Sequence, residues 1–318
     1  GVRATAGDIV VDSDGNLTST TLDFTALGLT VGQHIHVGGA LTANRFATAA
    51  DYGLARVDAI AANLLTLGNT SQAFAADAGT GILLDIYFGS FCRNVAVTDS
   101  DFQRVRHTME MAYNTSPVLY EYARDCYANT LELAFPNEAK STMAMGFVGK
   151  DIEAPTSTRK DGASWSNMAQ TTAFNTSSDF ARLRVVETDP LGYDTYFKDT
   201  TISIDNGATP ETVLGNLGAA FVNLNNFNVT LSTEAVMVDG AILAAIRANT
   251  TVSLTVGLRN EDGGFVLDIP SMTLGDGSKN LARGEKVKIT TTGAVFKDDA
   301  LGFSLGLSVF GYLPADAE

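Results

Sequence analysis

The sequence predicts a mainly β protein, an antiparallel β-sandwich with one flanking α-helix behind a small β-barrel-like module. Three observations carry that expectation. Apolar and polar residues alternate along the longer segments, the period of a strand with one buried face. Turn pairs such as Asp14-Gly15 and Gly38-Gly39 punctuate short apolar runs near the N-terminus. Only one segment has a clear helical stripe.

Residues 1–92 read as the small module. Its expected strands cover residues 22–24, 34–37, 55–60, 64–67 and 82–88, and the Ala-rich stretch 47–51 reads as a loop. Residues 93–318 read as the sandwich. In the run 108–113, the period of two puts Met109, Met111 and Tyr113 on one face. Leu131, Leu133 and Phe135 alternate with Thr130, Glu132 and Ala134. Val252, Leu254, Val256 and Leu258 alternate with Thr251, Ser253, Thr255 and Gly257. Glu261-Asp262-Gly263-Gly264 reads as the turn of a hairpin continued by Phe265, Leu267 and Ile269. A closing strand over 301–309 has Leu301, Phe303, Leu305, Leu307 and Val309 on its apolar face.

The helix spans 239–249, with Asp239 as N-cap, Ile242, Leu243 and Ile246 as its stripe, and Asn249 at its end. Thr209-Pro210-Glu211 is expected to open a second, shorter helix. Residues 151–178 are polar, rich in Ser, Thr and Asn, and carry the sole tryptophan, Trp165. A loop of that length in a compact domain points to function. Trp165 reads as an anchor for another chain, or as a side chain folded back on its own domain.

The chain has 318 residues with 36 acidic and 21 basic side chains, a formal net charge of −15. Residues 1–159 hold 17 acids and 10 bases, and residues 160–318 hold 19 and 11, so the acidity belongs to the whole body and not to a tail. That balance argues against a phosphate-gripping surface. It fits a soluble surface, or a field that repels polyanions. No apolar run reaches membrane-spanning length, and no basic-then-apolar leader follows Gly1. Two cysteines, Cys92 and Cys126, make no disulfide framework and read as free thiols.

Nothing in the sequence assembles catalytic chemistry. His34 and His36 share one face of an expected strand, a possible metal pair, but no third ligand accompanies them. His107 has no Ser or Cys partner. Gly146-Phe147-Val148-Gly149-Lys150-Asp151 lacks the Walker spacing and reads as the end of a strand. Asp12-Ser13-Asp14-Gly15-Asn16 has its glycine misplaced for a calcium loop and reads as a hairpin turn. The pairs Asp99/Asp101 and Asp298/Asp299 sit at turns, whereas acid–base work needs carboxyls converging across a cleft. No catalytic, metal or cofactor site is expected.

Several stretches together resemble the tail tube (major tail) proteins of long, non-contractile-tailed bacteriophages. They are Thr21-Leu22-Asp23-Phe24-Thr25-Ala26-Leu27-Gly28-Leu29-Thr30-Val31-Gly32-Gln33 leading into Val37-Gly38-Gly39 and Gly53-Leu54-Ala55-Arg56-Val57, then 146–151, then Phe174-Asn175-Thr176-Ser177-Ser178-Asp179, and finally residues 265–274 with 301–314. The resemblance covers nearly the whole chain in order. It implies a structural virion protein that self-assembles into stacked hexameric rings, forming a hollow tube around a tape-measure protein, with tail-tip and terminator proteins as further partners. Phage DNA would pass through without specific binding, no membrane would be involved, and assembly would occur in the host cytoplasm. Similar proteins carry further sandwich strands before the small barrel. The resemblance therefore implies upstream strands here too, or a sandwich completed differently.

On that reading Asp151, Glu153, Trp165 and Phe174 are candidate inter-subunit contacts, and Glu110 and Glu132 are candidate lumen-facing acids. The alternative is a carbohydrate- or receptor-binding β-sandwich on a phage or cell surface, with exposed aromatics over a groove.

Overall fold

The computed structural model describes residues 1–162, 167, 170–187, 192–193, 195–215, 217–238, 240–281, 283–284 and 286–314. The chain is mainly antiparallel β, with one α-helix among the described residues.

The first sheet holds seven short strands, β1 (Val2–Arg3), β2 (Val10–Val11), β3 (Leu17–Thr18), β4 (His34–Val37), β5 (Gly53–Ala61), β6 (Leu64–Gly68) and β7 (Asp85–Tyr87). Their order is β1-β7-β4-β5-β6-β3-β2, a path with two ends. They enclose one core built on Leu17, Phe24, Ile35, Val57 and Leu65. The expected strand at 22–24 is instead the entry to a 3-10 helix, Phe24–Leu27. The Asp23 carboxylate accepts from the Thr25 N–H, and Gly28 ends the turn with φ +72°. The local cap outweighs the apolar alternation there. The last expected strand shortens to Asp85–Tyr87. Asp12 accepts from the N–H groups of Asp14 and Asn16 at 2.9 Å each, so the acidic run is a side-chain-braced hairpin turn.

The second sheet contains β8 (Ser90–Arg93), β9 (His107–Tyr113), β10 (Leu119–Phe135), β11 (Thr142–Val148), β12 (Asp151–Ile152), β13 (Phe180–Val186), β14 (Thr195–Asp205), β17 (Asn228–Met237), β18 (Thr251–Asn260), β19 (Gly263–Asn280), β20 (Lys288–Val295) and β21 (Gly306–Phe310). A separate hairpin, β15 (Thr209–Thr212) with β16 (Ala219–Asn223), leaves between β14 and β17. The main path runs β11-β10-β14-β17-β20-β19-β18-β13. Ile202, Leu231 and Ile289 on one part of this path share a core with Val185, Leu254, Val256 and Ile269 on the other. The ladder therefore folds over on itself as two facing layers, consistent with a β-sandwich.

Helix α1 (Ala241–Ala248) buries Ile242 and Ala245, and Ile246 lies beside Gly277 of β19. Asn249 ends it in the left-handed conformation, φ 52°, as its position in the sequence implied. Gly240 stands at the N-cap; the expected cap Asp239 lies outside the described residues. The second expected helix is a strand. Residues 209–212 pair with 219–223 because Val222 buries against Tyr127 and Ala208, while Pro210 sits in a two-stranded ribbon with a free side.

The closing strand also starts later, at Gly306. Residues 298–303 form a turn in which Asp298 accepts from the Ala300 and Leu301 N–H groups. Within β21 the buried side is Gly306, Ser308 and Phe310, and Val309 is exposed, opposite to the expected facing. The cause is the small module. Ser308 Oγ accepts from the His34 N–H at 2.9 Å, and Phe303 fills the space over Gly32, where any Cβ would sit 2.3 Å from its ring. The small module covers β18 as well. Ser253, Thr255 and Gly257, the expected solvent face, are buried. Asn69 donates to Thr255 Oγ1, Arg182 donates to the Asn69 carbonyl at 2.9 Å, and Leu54 packs with Val266, Phe310 and Leu313.

Candidate functional site: a polar sheet face and an uncovered edge

Residues directly opposite in an antiparallel ladder share a face. Thr130 pairs with Asp205 and Gly146, and Asp205 pairs with Asn228. Glu132 pairs with Ser203 and Ala144, and Ser203 pairs with Thr230. Further along, Ser232 meets Thr292 and Glu234 meets Thr290. One surface across β11, β10, β14, β17 and β20 is thus a field of Thr, Ser and Asn hydroxyls and amides, carrying the acids Glu132, Asp205 and Glu234. Glu132 and Asp205 are exposed there and line a shallow hollow of about 630 Å³. The opposite face buries Ile202, Ile204, Val229 and Leu231.

Glu110 occupies a different place. It lies on β9, which pairs only with the N-terminal half of β10. Arg159 reaches it at 2.7 Å and the Tyr122 hydroxyl donates to it at 2.8 Å. The Arg159 guanidinium above all, with the Tyr122 hydroxyl, holds the Glu110 carboxyl below its ordinary range. Its charge is used to fasten the 151–178 segment to β9 and β10.

The described residues of that segment are tied to the sheet. Ile152 pairs with Ala123, and Thr156 bridges to Tyr120. Asp151 and Glu153 both meet Arg124, at 3.2 and 3.1 Å, and Lys160 reaches Glu153 at 2.6 Å. The Phe174 ring packs edge-on against Phe265, centroids 5.4 Å apart, at the rim of the large core. Trp165 lies outside the described residues.

Sequence reasoning missed an edge. Among the described residues β11 (Thr142–Val148) pairs with β10 on one side and with no strand on the other, although Lys140 just before it is bridged to Asn175. Its core-side residues Met143 and Met145, opposite Leu133 and Leu131, are 66% and 48% exposed, and Phe147 is also exposed. An open strand edge with an uncovered apolar row is a template for pairing. The same polar-faced sheet has a second free side. The segment of β19 from Gly275 to Asn280 is laddered to β20 and, among the described residues, to no other strand. The period-two pattern in Met143, Met145 and Phe147 was visible in the sequence, but its exposure depends on which strand ends the sheet.

His34 and His36 sit inside the fold, not on an open strand face. Both are buried where the modules meet, and among the described residues there is no group of three or more His, Cys, Asp or Glu side chains placed to hold a metal ion. His36 Nδ1 lies 3.1 Å from the Gly38 carbonyl. Burial, with Arg182 and Arg56 nearby, drives His34 well below the usual imidazole range, and burial takes His36 to about 3. Cys126 is buried and Cys92 exposed, both as free thiols. The chemistry these surfaces support is association through hydrogen bonds and apolar contact.

A search of curated proteins returns no match. The sequence profile of the phage tail tube proteins matches residues 4–296, nearly the whole chain. This chain belongs to the phage tail tube protein family, structural components of the virion tail whose copies assemble into a tube.

Proposed function

We propose that the chain closes into hexameric rings that stack into the hollow tail tube through which phage DNA leaves the particle. The observation that carries this reading is the pair of edges left free among the described residues on one polar-faced sheet, β11 with its bare methionines and the last third of β19, Gly275–Asn280. Joining β11 of one copy to β19 of the next pairs the free backbone groups and covers Met143 and Met145. It also continues the polar face around a ring.

In this reading the polar face lines the bore, and Glu132, Asp205 and Glu234 repel passing phosphates over about 8–10 Å. The tape-measure protein occupies the bore before DNA does, and tail-tip and terminator proteins cap the ends. Residues 151–178, with Asp151, Glu153, Trp165 and Phe174, contribute contacts between copies. Residues 1–92 form a module carried on the sandwich of 93–318, assembly takes place in the host cytoplasm, and no catalysis is needed.

Negative-stain microscopy of the purified chain tests this. Hollow tubes with sixfold rings are expected. A protein that stays monomeric at high concentration and binds sugars tightly would refute it in favour of a surface-binding sandwich.

A further inference from the structure

The chain has seven methionines in very different surroundings. Met272 is fully buried in the large core, and Met109, Met111 and Met237 are half-buried. Among the described residues Met143 and Met145 are the exposed ones, and Met168 lies outside those residues. The two exposed thioethers stand two residues apart on β11, so the strand period puts them on one face. Their ladder partners, Leu133 and Leu131, pack against the large core. The methionines therefore continue the apolar surface of the core past the last strand of the sheet, where solvent reaches both side chains.

A solvent-reached thioether is open to two-electron oxidants. With hydrogen peroxide, the sulfur lone pair attacks one peroxide oxygen, the O–O bond breaks and an S–O bond forms. The displaced hydroxide collects the proton from the transferred oxygen and leaves as water. Sulfur is oxidised by two electrons and peroxide is reduced. The sulfoxide is a strong hydrogen-bond acceptor in place of an apolar atom. On an open strand face water satisfies it. Under an added strand it must give up that water, and its neighbours Leu131, Leu133 and Phe147 offer no side-chain donor. Oxidation is thus tolerated by the free chain and penalises only the covering of the row. A row already covered is shielded from the oxidant.

We propose that Met143 and Met145 form a reversible oxidation site that gates association through β11. Peroxide closes the gate in free subunits, and a dithiol-dependent methionine sulfoxide reductase reopens it. Reduction takes two electrons and two protons from the dithiol, releases the oxygen as water and leaves a disulfide. The gate rests on the ring reading given under Proposed function, whereas the oxidation site rests on the free chain alone.

The test uses the full chain in a Cys92→Ser background, which removes the exposed thiol. Graded hydrogen peroxide is applied to the native free subunit and to preformed tubes. Peptide mass spectrometry assigns each sulfoxide, and sedimentation with negative stain reads association over a concentration series. In the free subunit Met143 and Met145 are expected to oxidise at least about tenfold faster than Met272, with circular dichroism unchanged. The oxidised chain is expected to need at least about tenfold more protein to form rings than the same chain untreated. Reductases for both sulfoxide epimers, with dithiothreitol, are expected to restore the starting value. Met143→Leu/Met145→Leu, compared with its own untreated sample, is expected to change by less than about twofold on peroxide treatment. Oxidation of Met143 and Met145 no faster than that of Met272 overturns the site. Unchanged association of chains carrying both sulfoxides overturns the gate. So does an equal loss in the leucine variant, or a full reduction that restores nothing. Oxidation of both residues in intact tubes at the free-chain rate also overturns it. An untreated chain that forms no rings refutes the ring reading and the gate with it, while the rates measured on the free subunit still decide the site.

Discussion

The Arg56 guanidinium meets the Asp268 carboxylate at 3.3 Å, joining the small module to the long β19 strand across 212 residues of sequence. The Asp268 side chain is 1% exposed and that of Arg56 12%. Asp58 holds the other side of Arg56 at 2.8 Å, and Thr255 Oγ1 donates to Asp268. Burial alone would favour a neutral Arg56, but the carboxylates of Asp268 and Asp58 outweigh it and hold the guanidinium charged. The modules thus meet through a nearly dry polar seam beside the apolar patch around Leu54.

Removing one side of that pair strands a buried charge. Arg56→Ala is expected to destabilise the chain by about 3–5 kcal/mol, far more than an exposed pair would. Denaturant unfolding of the purified monomer measures it. A loss below about 1 kcal/mol would show that Asp268 is satisfied without Arg56.

Acid should loosen the same seam. His34 and His36 have depressed folded-state pKa values, so the unfolded chain binds protons more readily near pH 6. Stability is then full above the unfolded value of about 6.5 and falls as pH drops below it, by up to about 1.4 kcal/mol per pH unit for each histidine. Asp51 and Asp268, whose carboxyls burial raises, act with the opposite sign. Comparing unfolding free energies between about pH 7.5 and 5.5 in the wild type and in His34→Leu separates the imidazole contribution from that of the carboxyls. A flat profile over that range contradicts the assignment, and His34→Leu should reduce the slope.

The edge at β11 makes a separate prediction. Met145→Lys places a charge on an exposed apolar row, a device that blocks strand addition. The monomer should keep its stability to within about 0.5 kcal/mol. Ring association should weaken at least about tenfold, read by sedimentation. Unchanged association would remove β11 from the contact.

Charge reversal on the polar face tests its proposed place in the bore. Tubes of Glu132→Lys/Asp205→Lys should still form, since both side chains are exposed and away from the edges. They should retain duplex DNA at low salt and release it steeply as salt rises. Wild-type tubes should not retain it. Equal behaviour of the two would place these acids elsewhere.

Much of the architecture was legible in the sequence because period-two patterning is local. The Leu131/Leu133/Phe135 face, the hairpin at 261–264 and the helix stopped by Asn249 follow from neighbours within a few residues. The failures have physical causes. At 22–24 the Asp23 cap replaced a strand, and at 209–212 burial of Val222 in a hairpin replaced a helix. In β21 the docking of distant residues, His34 on Ser308 and Gly32 under Phe303, reversed which face is covered.

The sequence by itself determined a β-rich, acidic chain and the ordered motifs that mark its family. Those properties rest on composition, spacing and short-range turns. Only the tertiary structure decided which acids share a face, which edge is left open, and which methionines stand uncovered. Strand order brings Thr130, Asp205 and Asn228 side by side across nearly a hundred residues. It also leaves β11, among the described residues, without a second strand neighbour. Exposure depends on what lies next to a residue in space, and period-two patterning along one strand carries no record of that.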